Sequence, residues 1–231
     1  WINNMLTNVN NYNLVIYTDD DGYSLLHKYE KSNIKIIMKD HITFYNYRYN
    51  NDWINNHSNN HLLKNKVDWK VNMLWSEKIH FVKDAYEEKY FDTEFYGWCD
   101  IGYFRNRHND TSKEMLINWP DHSKIGELNK DKIHYGLINN DTDYMNQLFR
   151  LIIYKNEMGL PKIPIPPNQL SVAAGFFILH KDNIQWWFDT YDAKLKLYFN
   201  NGYLVKDDQV IVIDCIFSNM QRFQLHKETN P

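Results

Sequence analysis

Residues 95–105 read Phe-Tyr-Gly-Trp-Cys-Asp-Ile-Gly-Tyr-Phe-Arg, and this stretch decides the fold class. Its aromatic half predicts a short strand of the core, in which a carboxylate would be costly to bury. Asp100 therefore falls at the C-terminal end of the strand, where open α/β sheets bind ligands. Gly102 lacks a side chain, which lets a backbone or a phosphate approach. Taken alone, an Asp-x-Gly favours the simpler interpretation, in which Asp100 caps the turn after the strand.

The composition indicates a globular chain with a substantial core. A length of 231 residues and a mass of 28.0 kDa allow one large domain, or two lobes that share a sheet. The net charge of -3 gives no electrostatic reason to expect nucleic acid or an anionic membrane as a partner. Cys99 and Cys215 lie in apolar runs and are expected to be free thiols. Frequent Asn, Lys, Ile and Tyr are typical of AT-rich coding DNA, from a large DNA virus or a low-GC microbe.

The cellular location is predicted from the absence of targeting signals in the printed sequence. No apolar run approaches the length of a membrane span, and no signal peptide is visible. We therefore expect a cytoplasmic protein without a transmembrane segment. A targeting segment upstream of Trp1 stays open, because the chain does not begin with Met.

The first hundred residues predict two strands and a helix ahead of the Asp100 strand. Residues 13–18 and 34–38 are apolar runs, and the short crossover between them favours parallel pairing. Asp19 follows the first run, either as a ligand-binding acid or as part of a solvated turn. Residues 71–90 predict an amphipathic helix, and Lys78 lies in its apolar stripe. Its ammonium either extends to solvent or reaches the end of the sheet.

Other segments are assigned from turn residues and periodicity. We expect a loop at the Asn-rich residues 50–60, a strand at 133–136, a helix at 141–158, an irregular proline-rich loop at 160–167, a strand at 172–179 and a helix at 182–201. Gly175 precedes two phenylalanines, which indicates close approach of a ligand or of a neighbouring strand. Residues 210–217 favour a strand by propensity, yet Asp208 could equally cap a short buried helix.

The order of these elements resembles a GT-A glycosyltransferase, and more closely the HtrL/YibB-like family that is classed with the glycosyltransferases. The matching motifs are Tyr17-Thr18-Asp19, Trp75 to Lys78, Trp98 to Arg105, Gly175-Phe176-Phe177 and Asp208-Gln209. They extend over nearly the whole chain. Two features depart from the pattern. The family's first nucleotide-binding strand is not found after Trp1, which would place it upstream, and Gly102 stands where the usual Asp-x-Asp metal motif has its second acid.

The resemblance implies a Rossmann-like GT-A fold, with a mostly parallel central sheet flanked by helices. Residues 1–231 would form one domain, with a nucleotide-sugar half up to about residue 105 and an acceptor half from about residue 106. It also implies a glycosyltransferase that moves a sugar from a nucleotide donor, UDP-linked on this expectation, to a glycan or protein acceptor.

The resemblance assigns roles to particular residues. A Mn²⁺ or Mg²⁺ ion would bridge Asp100 and the donor diphosphate, with His226 as a further ligand. Asp19 would contact the base or ribose, Lys78 the phosphates, and Gly102 the donor. Asp208 would be the general base if the reaction inverts, or would orient the acceptor or intermediate if it retains. The acceptor would lie against Gly175, Phe176, Arg105, Asp207 and Gln209.

Two other classes of function compete with a glycosyltransferase. A non-catalytic carbohydrate- or nucleotide-binding module could have the same fold with an incomplete metal motif. A nucleotidyltransferase would need a second metal-binding acid and a basic phosphate loop, and the sequence shows neither.

Overall fold

The fold is mixed α/β, and a computed structural model describes it over residues 2–104 and 112–227. The strands are β1 Leu14–Thr18, β2 Ile34–Met38, β3 Phe95–Cys99, β4 Ile133–Leu137, β5 Val172–His180 and β6 Phe223–Lys227. The α-helices are α1 Ile2–Thr7, α2 Asp20–Leu26, α3 Asn50–Asn59, α4 Trp69–Trp75, α5 Lys78–Glu87, α6 Lys113–Asn118, α7 His122–Gly126, α8 Thr142–Ile153, α9 Ile184–Asn200 and α10 Asp208–Ser218.

The strands form two sheets of different kinds. β1 and β2 pair in parallel, as predicted. The second sheet has the order β3-β5-β4-β6, in which β5 is antiparallel to β3 and β4, and β6 is parallel to β4. The α/β class is therefore confirmed, but the sheet is mixed where a mostly parallel one was expected. The reason is that the chain leaves β4 along α8 and returns through residues 154–171, so that β5 runs back along its neighbour.

Strand β5 bulges against β4 at the Ala-Gly-Phe segment. Tyr135 pairs with Phe177, whereas the next β4 residue, Gly136, pairs with Ala173, so residues 174–176 have no β4 partner. On the other side, β3 stays paired with β5 as far as Cys99 and Phe176. Such irregularities redirect backbone groups and side chains beside functional sites.

Helix α5 joins the two sheets. The ring of Tyr17 in β1 stacks on Phe81 of α5 with centroids 4.6 Å apart, and the Tyr17 hydroxyl donates to the Phe81 carbonyl at 3.1 Å. Phe81 also stacks on Trp98 of β3 at 5.6 Å. These three rings link the end of β1 to the end of β3.

The largest core lies between the four-stranded sheet and helices α9 and α10. Trp187, Tyr191, Leu195 and Tyr198 form the inner face of α9, and all four are buried. Every residue of α10 from Val210 to Phe217 is buried. A helix that is apolar on all sides is stable when other elements surround it, which is why this run is a helix despite its strand propensity.

Two predictions about the N-terminal half were wrong. Residues 50–60 were expected to form a loop but contain α3, because Trp53 and Asn56 are buried and Asn56 exchanges two hydrogen bonds with the Val205 backbone, each 2.8 Å long. The single helix predicted at residues 71–90 is interrupted between α4 and α5. Here the buried Glu77 carboxylate accepts hydrogen bonds from two backbone N–H groups in the preceding segment, those of Tyr45 and Asn46.

Several other predictions are confirmed with changed ends. Helix α8 begins after the Asp141 cap but ends at Ile153 rather than near residue 158. Helix α9 ends before Gly202, whose φ of 68° is favourable for glycine.

Both cysteines are free thiols. Within residues 2–104 and 112–227, no helix has both the length and the apolar character required to cross a membrane.

Candidate active site

Three charged side chains from three different elements meet beside the end of β3. Lys78 is the first residue of α5, Asp100 follows β3, and Asp208 is the first residue of α10. The Lys78 Nζ atom lies 3.2 Å from Asp100 Oδ1 and 3.0 Å from Asp208 Oδ2. It also donates a hydrogen bond to the Ala174 carbonyl oxygen at 2.9 Å.

The β5 bulge builds one wall of this site. Because residues 174–176 do not pair with β4, the Ala174 carbonyl is available to Lys78. The Asp100 N–H donates to the Gly175 carbonyl at 2.8 Å, which continues the β3–β5 pairing by one residue. A Cβ atom on residue 175 would lie 3.2 Å from Asp100 Oδ2, closer than most such contacts. Glycine at position 175 thus leaves room for the Asp100 carboxylate.

Asp100 is the accessible acid of the group. Its side chain is 40% exposed, whereas those of Lys78 and Asp208 are 10% and 8% exposed. The indole Nε1–H of Trp98 donates to Asp100 Oδ1, so a residue of β3 fixes the orientation of the carboxylate. Asp100 can therefore contact a ligand in the cleft while the protein holds its position.

Asp208 is an acid in a nearly dry environment. Tyr135, Tyr191 and Val212 line, together with Asp208, a small cavity of about 10 Å³. Burial raises the pKa of Asp208 to about 6, although Lys78 opposes this effect. Burial alone would lower the pKa of Lys78, but the two carboxylates outweigh it and raise that pKa above its ordinary value. Lys78 thus stays protonated at neutral pH, where Asp208 is close to its titration range.

A cleft of about 260 Å³ opens in front of these groups. It is lined by Trp75, Lys78, Asp100, Ala174, Gly175, Asp207, Asp208 and Gln209. The Asp100 and Asp208 carboxylates face the one Lys78 ammonium there, so the lining favours cations and donors of hydrogen bonds, such as sugar hydroxyl groups. Asp207 Oδ2 pairs with Lys206 at 2.7 Å, and the buried Oδ1 atom has no hydrogen-bond partner among the described residues.

The structure brings together six of the predicted site residues and leaves others elsewhere. Lys78, Asp100, Gly175, Asp207, Asp208 and Gln209 share the cleft. Asp19 is the exposed N-cap of α2 and accepts from the Gly22 N–H, and Gly102 lies in the turn after Asp100. The Phe176 ring packs on Tyr103 and Trp119. Asp19, Gly102 and Phe176 are therefore not part of the cleft lining. Arg105 falls outside the described residues.

His226 does not share an ion with Asp100 in this fold. It lies on β6 beside His134, with 2.9 Å between His134 Nδ1 and His226 Nε2. Strands β5 and β4 separate β6 from β3, and three strand spacings amount to about 14 Å. That separation exceeds what an Asp and a His can bridge through one metal ion.

The side chains present do not form a complete metal centre. Among the described residues, no group of three or more His, Cys, Asp or Glu is arranged to hold an ion. Asp100 and Asp208 supply the hard oxygen ligands that Mg²⁺ and Mn²⁺ prefer, but the Lys78 ammonium lies between them. A divalent ion at Asp100 would therefore need further ligands from its substrate.

Two contributors to this region could not be assigned from the residues. Trp75 lines the cleft, and its only signal was its place in the Trp-x-x-Lys motif. The role of the Ala174 carbonyl could not be predicted from the sequence, because every residue has a backbone carbonyl. Elsewhere, the single acid in the apolar run of α10, Asp214, is fully buried and pairs with Lys155 and Lys194.

Comparison with known proteins adds no family assignment. No protein-family model, curated protein sequence or solved structure matches this chain.

Proposed function

We propose that this chain is a glycosyltransferase that moves a sugar from a nucleotide-sugar donor to a glycan or protein acceptor, within a GT-A-like fold of the HtrL/YibB-like type. The observation that carries the proposal is the convergence of Lys78, Asp100 and Asp208 on one cleft. These residues belong to three separate motifs: Lys78 and Asp100 are 22 positions apart, and Asp208 lies 108 positions beyond Asp100. The resemblance had assigned all three to the same reaction.

Asp208 is the group best suited to accept a proton. A general base is most effective when its pKa lies near the working pH, and burial brings that of Asp208 to about 6. In an inverting transfer, the acceptor oxygen attacks the anomeric carbon, its proton passes to the Asp208 carboxylate, and the bond to the nucleotide diphosphate breaks. In a retaining transfer, Asp208 would instead orient the acceptor or the intermediate.

Lys78 is a positioning residue in this proposal. Its N–H groups face Asp100, Asp208 and the Ala174 carbonyl, so it fixes the two acids relative to each other. A contact between Lys78 and the donor phosphates would require one of these hydrogen bonds to be given up. Asp100, which is more exposed, is the carboxylate that a donor would meet first.

The Mn²⁺ or Mg²⁺ ion implied by the resemblance would have Asp100 as its protein ligand and donor phosphates as others. When bound, it would supply positive charge to the leaving diphosphate. The roles of Lys78 and Asp208 described above do not depend on that ion.

A non-catalytic binding module is the second candidate function. It is favoured by the ion pairs of Lys78, which satisfy both acids without any substrate. Such a module would bind a nucleotide sugar or a glycan in the same cleft and would not turn it over.

Release of nucleoside diphosphate from a panel of nucleotide sugars, measured with Mn²⁺ and with EDTA, tests the proposal. We expect hydrolysis or transfer with at least one donor, and a loss of about 10²–10⁴-fold in kcat for Asp208→Asn. Binding without turnover in wild type would favour the binding module. The absence of both binding and turnover would contradict the transferase.

A further inference from the structure

The Lys78 ammonium is surrounded by oxygen atoms in the way that a bound cation is. Its Nζ atom contacts Asp208 Oδ2, both Asp100 carboxylate oxygens and the Ala174 carbonyl oxygen, at 2.9–3.3 Å. The four oxygens come from three separate segments of the chain. The side chain is 10% exposed, so little space is left for water around the charge.

These oxygens are also the ligands that a divalent cation would seek. Mg²⁺ binds oxygen at about 2.0–2.1 Å and Ca²⁺ at about 2.3–2.6 Å. With an ion at the Nζ position, the same groups would need to move inward by about 0.8–1.3 Å for Mg²⁺ and by about 0.3–1.0 Å for Ca²⁺. An ammonium and a divalent ion cannot share this position, because both the volume and the charge would conflict. The Lys78 ammonium therefore occupies the position at which a divalent metal ion would otherwise fit.

We infer that Lys78 occupies a latent divalent-cation site formed by Asp100, Asp208 and the Ala174 carbonyl, and that it keeps this site closed in the free protein. Among the described residues that line the cleft, Asp100 is then the one accessible carboxylate for a divalent ion, and one carboxylate binds Mn²⁺ weakly. If the proposed function holds, the missing ligands come from the donor diphosphate, so that metal and donor bind together. Removal of the Lys78 side chain opens the latent site.

Electron paramagnetic resonance of free Mn²⁺ tests this inference on the whole chain without any activity assay. We expect Lys78→Ala to bind Mn²⁺ at least about tenfold more tightly than wild type, because it exposes two carboxylates and a carbonyl and removes a positive charge. Lys78→Met is the matched control, since it removes the charge but fills the space, and its gain should be smaller. Adding Asp208→Asn to Lys78→Ala should cancel the gain, and the surface variant Lys124→Ala should behave as wild type.

Two results would overturn the inference. One is a wild-type protein that binds Mn²⁺ without nucleotide at a site that Asp208→Asn removes. The other is a folded Lys78→Ala protein with no gain in Mn²⁺ affinity. If Lys78→Ala does not fold alone, Mn²⁺ must restore its cooperative melting, as followed by circular dichroism, and failure to do so also counts against the latent site.

Repeating the titration with UDP separates this inference from the proposed function. Because UDP binds Mn²⁺ by itself, a protein-free sample with the same UDP is the reference. Uptake of Mn²⁺ by wild type beyond that reference, and only when UDP is present, supports both. A gain in Lys78→Ala, with no effect of UDP or of other nucleoside diphosphates on wild type, would support the latent site and contradict the transferase.

Discussion

The Lys78 Nζ atom lies 3.0 Å from Asp208 Oδ2, and this ion pair is almost completely buried, with exposures of 10% and 8% for the two side chains. A buried pair of this kind contributes little when compared with an apolar replacement of both partners. The loss of one partner is different, because it leaves a charge without compensation in a medium of low polarity. Loss of either Lys78 or Asp208 is therefore expected to affect both the stability of the fold and the geometry of the cleft.

The first prediction concerns the removal of one partner. We expect Lys78→Met to lower the free energy of unfolding by about 3–5 kcal/mol, since Asp208 is left buried and unpaired. Urea denaturation at pH 7 measures the change. The double variant Lys78→Met/Asp208→Asn should recover part of the loss, and equal destabilisation of single and double variants would rule out the ion pair as the cause.

The second prediction is a pH profile. Burial raises the pKa of Asp208 to about 6, so a reaction that needs its carboxylate should slow by about tenfold for each pH unit below that value. Since Lys78 opposes this shift, Lys78→Met should move the midpoint of kcat to higher pH. A kcat that is constant between pH 5 and 8 would exclude Asp208 as the base.

The free energy of unfolding also depends on the ionisation of Asp208. It falls with rising pH, whereas the rate of the reaction rises. The folded pKa of Asp208 lies above its ordinary value of 3.8, so the folded state holds more protons than the unfolded state between about pH 4 and 6. Its contribution to the free energy of unfolding therefore falls as the pH rises through this window. We expect the slope of unfolding free energy against pH to be less negative in Asp208→Asn, by up to about 1.4 kcal/mol per pH unit.

The third prediction uses glycine as a probe of the cleft. Gly175→Ala would place a Cβ 3.2 Å from Asp100 Oδ2, so we expect weaker donor binding with a stability change below about 1 kcal/mol. Gly126→Ala is the control, because a Cβ there meets no atom within 4 Å. Isothermal titration with the donor compares the two variants, and equal affinities would mean that the Asp100 position is not critical.

The fourth prediction separates a structural acid from the acids of the cleft. Asp214 is fully buried and pairs with Lys155 and Lys194, while the Tyr198 hydroxyl donates to it at 2.8 Å. We expect Asp214→Ala to cost about 3–5 kcal/mol of unfolding free energy. Donor affinity, measured on the folded fraction at low temperature, should be unchanged. A selective loss of donor binding in a stable variant would show that the site extends into the core.

The strands, and the points beside the site where elements begin, end or bend, could be predicted from local sequence patterns. The aromatic run before Asp100, the Ala-Gly-Phe-Phe segment and the acids at Asp207 and Asp208 each mark a point where an element begins, ends or bends. Those are properties of neighbouring residues, so the sequence contains them. Gly175 was also expected to mark a close approach, and the close neighbour is the Asp100 carboxylate.

Pairings between distant segments could not be predicted in the same way. The antiparallel direction of β5 depends on the path of residues 154–171, and the break before α5 depends on Glu77 accepting hydrogen bonds from a segment about thirty residues away. Because of that break, Lys78 is the first residue of a helix. Its side chain is buried in the protein and does not lie on the surface. His226 was placed near Asp100 by resemblance alone, and the strand order separates them.

The proposed transferase requires a donor site at Asp100, and thermal shift measures such binding directly. We would record the melting temperature of wild type and Asp100→Ala with nucleoside diphosphates and nucleotide sugars, with and without Mn²⁺. A ligand at about 100 times its Kd stabilises the folded state by about 2.7 kcal/mol, which raises Tm by about 5–10 °C for a domain of this size. We predict such a shift in wild type with at least one UDP- or GDP-linked sugar and Mn²⁺, and its loss in Asp100→Ala. No shift with any nucleotide, or an equal shift in both proteins, would contradict a donor site at Asp100.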